Sequence, residues 1–330
     1  LDVNGNAIVN ESSREAGALR RKMVADCGGT EKLIAMLSAV SLSSSSIARR
    51  MWELVSKVIG ADVSKGTVGA EVAEGTGHAS GTGPAKKQLV EGVVVGVQEQ
   101  AAASLGDLVH GDAAMQMTVI SQGAVVPLLA LLRSSSQVSQ ENAARAIWYL
   151  CESTSNQGLI VEAGAINELV ALSRTGSVRA QGLAAAVISD LAKGAIVEQE
   201  QEKEGPACEE DSSVGELKVS KGARLSVIAA AGGITPLVGL LTTGDPSGKE
   251  KAASALVQLM KDERNRDAVA KAGAIPPLVQ LLDDVAPHAH EHAVAALAHL
   301  AQQSTDSQSQ IAKKLVTLLS SPSEGCQRRS

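Results

Sequence analysis

Residues 265 to 282 read NRDAVAKAGAIPPLVQLL. A short helical stretch ends at Gly273-Ala274, where glycine can take the positive φ that closes a helix. Pro276-Pro277 follow at the start of the next helix, where a missing amide hydrogen costs nothing. Leu278, Val279, Leu281 and Leu282 then place apolar side chains at i, i+1, i+3 and i+4. That stripe is too wide for a surface helix and predicts one sandwiched between neighbours.

The same grammar returns along the chain. LIAML from Leu33, LLALL from Leu128, LVALS from Leu169, LVGLL from Leu237, LVQLL from Leu278 and LVTLL from Leu315 share one phase, and LVEGV from Leu89 is a weaker seventh copy. Their leading leucines are 56, 39, 41, 68, 41 and 37 residues apart, a period near 41 with two insertions. Gly28-Gly29, Gly123-Ala124, Gly164-Ala165, Gly232-Gly233 and Gly273-Ala274 precede the apolar helices, and Pro127 and Pro236 stand where Pro276-Pro277 do. Each apolar helix is followed by an Ala-rich one, such as SQENAARAIWYLC and KEKAASALVQLM. Alanine is the best helix former and lets stacked helices approach closely. A three-helix unit of this kind cannot bury its apolar faces alone, so the units must stack into a continuous core.

The pattern divides the chain into an N-terminal repeat over 1–59, a Gly-rich flexible insert over 60–84 and repeats over 85–193. An acidic flexible insert over 194–218, further repeats over 219–320 and a tail over 321–330 complete it. The Gly-rich insert interrupts the first and second repeats in this reading. Residues 198–211 carry seven acids against Lys203; without them the chain's 36 acids and 30 bases fall to twenty-nine each. A non-specific polyanion binder needs a basic surplus, so a nucleic-acid partner is not expected. With no Phe, one Tyr and two Trp, aromatic cages and base-stacking platforms are excluded as well. Four widely spaced cysteines argue against a zinc module or disulfide framework and point to the cytoplasm, with the nucleus as a second location. Two charge-free stretches, Ala113 to Leu132 and Leu225 to Gly244, approach membrane-spanning length. Gly123 with Pro127, and Gly232 with Pro236, should break each into two short helices, so no membrane span is expected.

GAIPPLVQLL, its Ala-rich follower and NRDAVAKAGAI resemble the armadillo repeat, over roughly residues 16 to 320 outside the inserts. The resemblance implies an all-α, right-handed α-solenoid of about six or seven repeats and no cofactor. It also implies a groove, lined by the third helix of each repeat, that binds an extended peptide segment. The family's groove asparagine falls here on Glu53, Asp107, Tyr149, Asp190, Gln258 and His299, polar in every copy but never asparagine. Trp52 and Trp148 lie one position earlier, and can either pack between third helices or anchor a partner. Arg49 and Arg145 lie one turn earlier still and could pair with acidic partner groups. In importin-alpha-like receptors a tryptophan ladder occupies that last row, and this chain has Arg49, Ala103, Arg145, Ala186, Ser254 and Ala295 there.

No catalytic pattern survives inspection. GTGHASGTG misplaces Ser80 for a nucleophile elbow, and GDPSGKE lacks the glycine spacing and the Ser or Thr of a phosphate loop. His288 and His292 share a helix face at metal-chelating spacing, but no further ligand completes a set with them. The expectation is a non-catalytic scaffold or adaptor whose partners are other proteins, with neither a small-molecule substrate nor a metal. Alternatives are the substrate-recognition region of a ubiquitin ligase, which resembles plant-type U-box proteins, and nuclear import cargo binding.

Overall fold

The computed structural model describes residues 28–38, 84–204, 223–283, 287–302 and 305–320, and every regular element among them is helical. In chain order these are α1 (Gly29–Ser38), α2 (Pro84–Val109), α3 (Ala113–Ser121), α4 (Val125–Leu131), α5 (Gln137–Leu150), α6 (Thr154–Glu162), α7 (Ala165–Thr175) and α8 (Val178–Glu204). There follow α9 (Ala223–Ala230), α10 (Ile234–Thr243), α11 (Pro246–Leu259), α12 (Glu263–Lys271), α13 (Ile275–Leu281), α14 (Pro287–Ala301) and α15 (Thr305–Ser320). Four complete short-short-long units run from α3 to α14. The α1–α2 pair precedes them and α15 closes the stack.

The glycine punctuation acts as the sequence predicts. Gly28, Gly123, Gly164, Gly232 and Gly273 all adopt positive φ, between 66° and 87°. At the last four, the turn swings the chain from the first helix of a unit into the second. The two charge-free stretches thereby become α3 with α4 and α9 with α10, bent by 86° and 73°. No single helix among the described residues is long and apolar enough to cross a membrane.

Second helices pack on one another (α1 on α4, α7 on α10, α10 on α13), and so do all successive third helices (α2, α5, α8, α11, α14). Between these layers lies one continuous core of Leu, Ile, Val and Ala, including fully buried Leu128, Ile147, Leu150, Leu169, Ile188 and Leu237. Alanines 143, 144, 146, 184, 185, 252, 253 and 255 are buried where third helices meet. At the tightest approach a Cβ on Gly182 of α8 would lie 3.2 Å from the Cα of Gly248 in α11.

Side-chain amides join one unit to the next. Gln116 donates to the Val109 carbonyl at 3.2 Å, Asn156 to Leu150 at 3.1 Å, Asn265 to Leu259 at 3.0 Å and Gln308 to Ala301 at 2.8 Å. The last carbonyls of a helix have no intrahelical donor, and here the following unit's first helix supplies one. At the opposite end of the third helices, Glu99 of α2 accepts from the N-cap Ser136 of α5. Glu141 of α5 accepts from Ser177, which caps α8, at 2.6 Å. The equivalent position of α8 is Gly182, and the cap of α11 that faces it is Asp245.

Three expectations change. LVEGV from Leu89 does not begin a second helix; it lies inside α2, which runs unbroken from Pro84 to Val109 because no Gly-Ala turn or proline interrupts it. The second helix packed against α2 is α1. Over the first part of the expected acidic insert, 194–204, α8 continues as helix through residues of good helix propensity. LVTLL belongs to the uninterrupted α15, where SQSQIAKK lacks the glycine that would divide it. Residues 60–83 and 205–218 of the expected inserts lie outside the described residues, as do Arg49, Trp52 and Glu53.

Candidate functional site

The third-helix layer brings Asp107, Tyr149, Asp190, Gln258 and His299 to equivalent positions on α2, α5, α8, α11 and α14. Asp107 is exposed and the other four are half-buried. The layer therefore presents a partly open polar side chain in each successive unit.

Trp148 is half-buried against the core, and its indole Nε1 donates to Asp190 Oδ2 at 3.0 Å. The tryptophan thus bridges α5 and α8 while part of its ring stays open, so packing between helices and availability to a partner coexist. Tyr149 stacks beside it with ring centroids 5.4 Å apart, and His110 lies 4.3 Å from the Tyr149 ring. Lys251, reaching across from α11, holds its ammonium 5.9 Å from the Trp148 ring centre. A cation at that range adds about 0.5–1 kcal/mol at a partly exposed site. Trp148's one polar atom is already satisfied, so a partner would meet an apolar, electron-rich ring surface.

Charges around this aromatic patch pair off within the layer. Arg145 approaches Asp107 at 3.7 Å, Lys193 approaches Asp190 at 3.4 Å and Lys251 approaches Glu250 at 3.5 Å. The Arg145 pair is loose: Asp107 is 73% exposed, and the buried Nε of Arg145 has no hydrogen-bond partner. Exposed pairs of this kind contribute about 0–1 kcal/mol, so Arg145 can exchange Asp107 for a partner's acceptor at little cost. Behind the patch, Cys151 is fully buried. Burial, with the Asp190 carboxylate adding to it and Arg224 opposing, pushes its thiol far above the ordinary range. It is an inert core residue rather than a nucleophile.

Sequence reading missed Lys193, Lys251, Lys261 and Arg266. Lys251 lies two helical turns before Gln258, and Lys193 and Lys261 one turn after Asp190 and Gln258. Following each clamp position along its own helix face would have found all three. Arg266 has a different signal: it sits six residues beyond Met260, whose carbonyl it caps at 2.8 Å. Among the described residues no group of three or more His, Cys, Asp or Glu is arranged to hold a metal ion. His290 instead lies 3.2 Å from the Leu282 carbonyl, and His288 faces Glu291 at 3.8 Å.

Residues 112–152 and 262–302 match the Armadillo/beta-catenin-like repeat, the spans of α3 to α5 and α12 to α14. No curated protein matches the chain. Among solved structures, an engineered protein is 26% identical with a TM-score of 0.53, covering 71% of this chain and 87% of its own. A designed armadillo repeat protein is 25% identical with a TM-score of 0.52, covering 71% and 90%. A computationally designed armadillo repeat protein for modular peptide recognition is 24% identical with a TM-score of 0.54, also over 71% and 90%, and supports the fold alone. Two armadillo repeats are thus matched by sequence within this chain, and the helical stack that holds them resembles that of designed armadillo repeat proteins.

Proposed function

We propose that the chain is a non-catalytic protein-interaction scaffold that holds an extended partner segment along a groove formed by its third helices. The carrying observation is the row Asp107, Tyr149, Asp190, Gln258 and His299, kept polar and accessible in five successive third helices beside half-open Trp148. Repeated polar groups at one helical position suit the regularly spaced amides and carbonyls of an extended backbone. Trp148 supplies the apolar anchor and Arg145 a hydrogen-bonding fork for an acceptor. Importin-like binding of basic signals is disfavoured, because Ala103, Arg145, Ala186, Ser254 and Ala295 stand where that mode places tryptophans.

The test compares the intact chain with an Arg145→Glu, Trp148→Ala double variant whose circular dichroism is unchanged. Proteins captured from cell extract by the intact chain are identified, and each is titrated against both forms by calorimetry. A central hot spot contributes about 2 kcal/mol or more, so affinity should fall about 30-fold or more. Equal affinity for both forms would remove the third-helix layer from consideration and direct attention to the second-helix face.

A further inference from the structure

The groove is not electrically uniform. Around Trp148 every described charge has an opposite neighbour: Arg145 with Asp107, Lys193 with Asp190, Lys251 with Glu250. Over α11, α12 and α14 the balance is different. Lys261, exposed and one turn beyond Gln258, has no ion pair among the described residues. Arg266 of α12 is pinned by its Nε bond to the Met260 carbonyl and is only 13% exposed. Its one carboxylate neighbour, Glu263, lies 3.5 Å away and is 83% exposed. The remaining carboxylates of that region are engaged elsewhere, Asp262 by both arms of Arg264 and Asp267 by Lys271.

His299 lies on α14, which packs against α11 and α12, and feels the charge of both cations. Burial first, then the charges of Arg266 and Lys261, hold it below the usual histidine range, and no carboxylate on α11, α12 or α15 offsets them. Two buried polar atoms here also lack partners, Nδ1 of His299 and Oε1 of Gln258. A pinned guanidinium, an ammonium without an ion pair and an imidazole able to gain a proton form a donor set, which Gln258 joins when its amide turns to present Nε2 in place of the unpartnered Oε1.

We propose that this end of the groove, made by Gln258, Lys261, Arg266 and His299, is an anion subsite that takes a carboxylate side chain of the partner segment. The proposal rests on the groove reading above and adds the partner's chemistry and direction: neutral and apolar over Trp148, acidic over α14. Buried charge-assisted hydrogen bonds are about twice as strong as neutral ones, so the acidic residue fixes the register of the segment. Because a bound carboxylate favours protonated His299, affinity rises as pH falls toward the ordinary histidine range while glutamate stays ionised.

The experiment measures fluorescence anisotropy of labelled octaglutamate and octalysine peptides with the intact 330-residue chain. Net charge is −6, so general electrostatics oppose octaglutamate and only a local site can bind it. Two charge-matched variants locate that site: Lys261→Glu should weaken octaglutamate at least tenfold, and Lys193→Glu, at the other end, less than threefold. Tightening between about pH 7.5 and 5.5 should disappear in His299→Gln. Preference for octalysine, equal losses in the two lysine variants, or full competition by millimolar inorganic phosphate, which would mark a free-anion site, each overturns the subsite. A partner whose binding depends on Trp148 but not on Lys261 would retain the groove and discard the subsite. A partner insensitive to both would discard the groove.

Discussion

Asn265 is 4% exposed and donates through Nδ2 to the Leu259 carbonyl at 3.0 Å. Asn156 does the same for Leu150 one repeat pair earlier. Such residues hold a unit to its neighbour through one carbonyl at the end of a third helix, which at Leu259 also accepts the Asp262 amide at 3.3 Å. Removing the Asn265 amide takes away one of the two donors to Leu259, a net loss of about 0.5–1.5 kcal/mol. Asn265→Ala should therefore lower the unfolding free energy by that amount in urea titration, and the exposed Gln310→Ala should not. Polar spacing of six or seven residues is invisible to hydrophobic periodicity, so these amides were not legible in the sequence, whereas the turn glycines were. His299 makes a second residue-level case. Its folded-state affinity for a proton is depressed by burial and by Arg266 and Lys261, as burial depresses that of His292. The unfolded chain then binds more protons as pH falls through the ordinary histidine value of about 6.5, and stability is full above that value and declines below it. The melting temperature should be lower at about pH 5.5 than at 7.5, with a smaller difference in His299→Gln.

At the scale of elements, the sequence was most informative where backbone sterics decide. Gly123 and Gly273 lie at φ 79°, and a Cβ at either would meet nothing within 4 Å. The cost of Gly273→Ala is therefore conformational alone, about 1–2 kcal/mol, while Gly239→Ala, inside α10 and equally open, should be neutral or stabilising. Thermal denaturation of the two variants distinguishes a turn requirement from simple crowding. Helix lengths were less legible. The apolar motif LVEGV carries the right residues for a second helix, yet it lies within α2, and no polar loop follows it before the Ala-rich stretch, as one follows the true second helices. Likewise the acidic composition after Ile196 predicts lost order, but Glu, Gln and Lys are good helix formers and α8 extends through them to Glu204. The candidate groove was half legible. Clamp positions follow from the repeat phase, but the bridge from Trp148 to Asp190 depends on how α5 and α8 stack, which periodicity does not contain.

For the whole molecule, stability comes from contacts between neighbouring units, so distant units communicate only through those between. The junction of α8 with α11 is notable because 18 residues outside the described set separate α8 from α9, and yet those two third helices pack at Gly182–Gly248 and join through Ser189 and Ser254 at 3.0 Å. Chain continuity and packing continuity are separate matters here. Gly182→Leu should split the array, giving two urea transitions where the unsubstituted chain shows closer coupling, with little loss of helicity before the first. The residue eight before each clamp position is Glu99, Glu141, Gly182, Glu250 and Glu291 in turn. The glycine faces an aspartate cap, Asp245, while the first two glutamates meet serine caps. Transplanting α5 into the place of α8 would therefore set carboxylate against carboxylate. The units look like interchangeable beads but are keyed, each third helix fitting the lock of its own successor, so shuffled or duplicated versions of this array would have to change both halves of a key together.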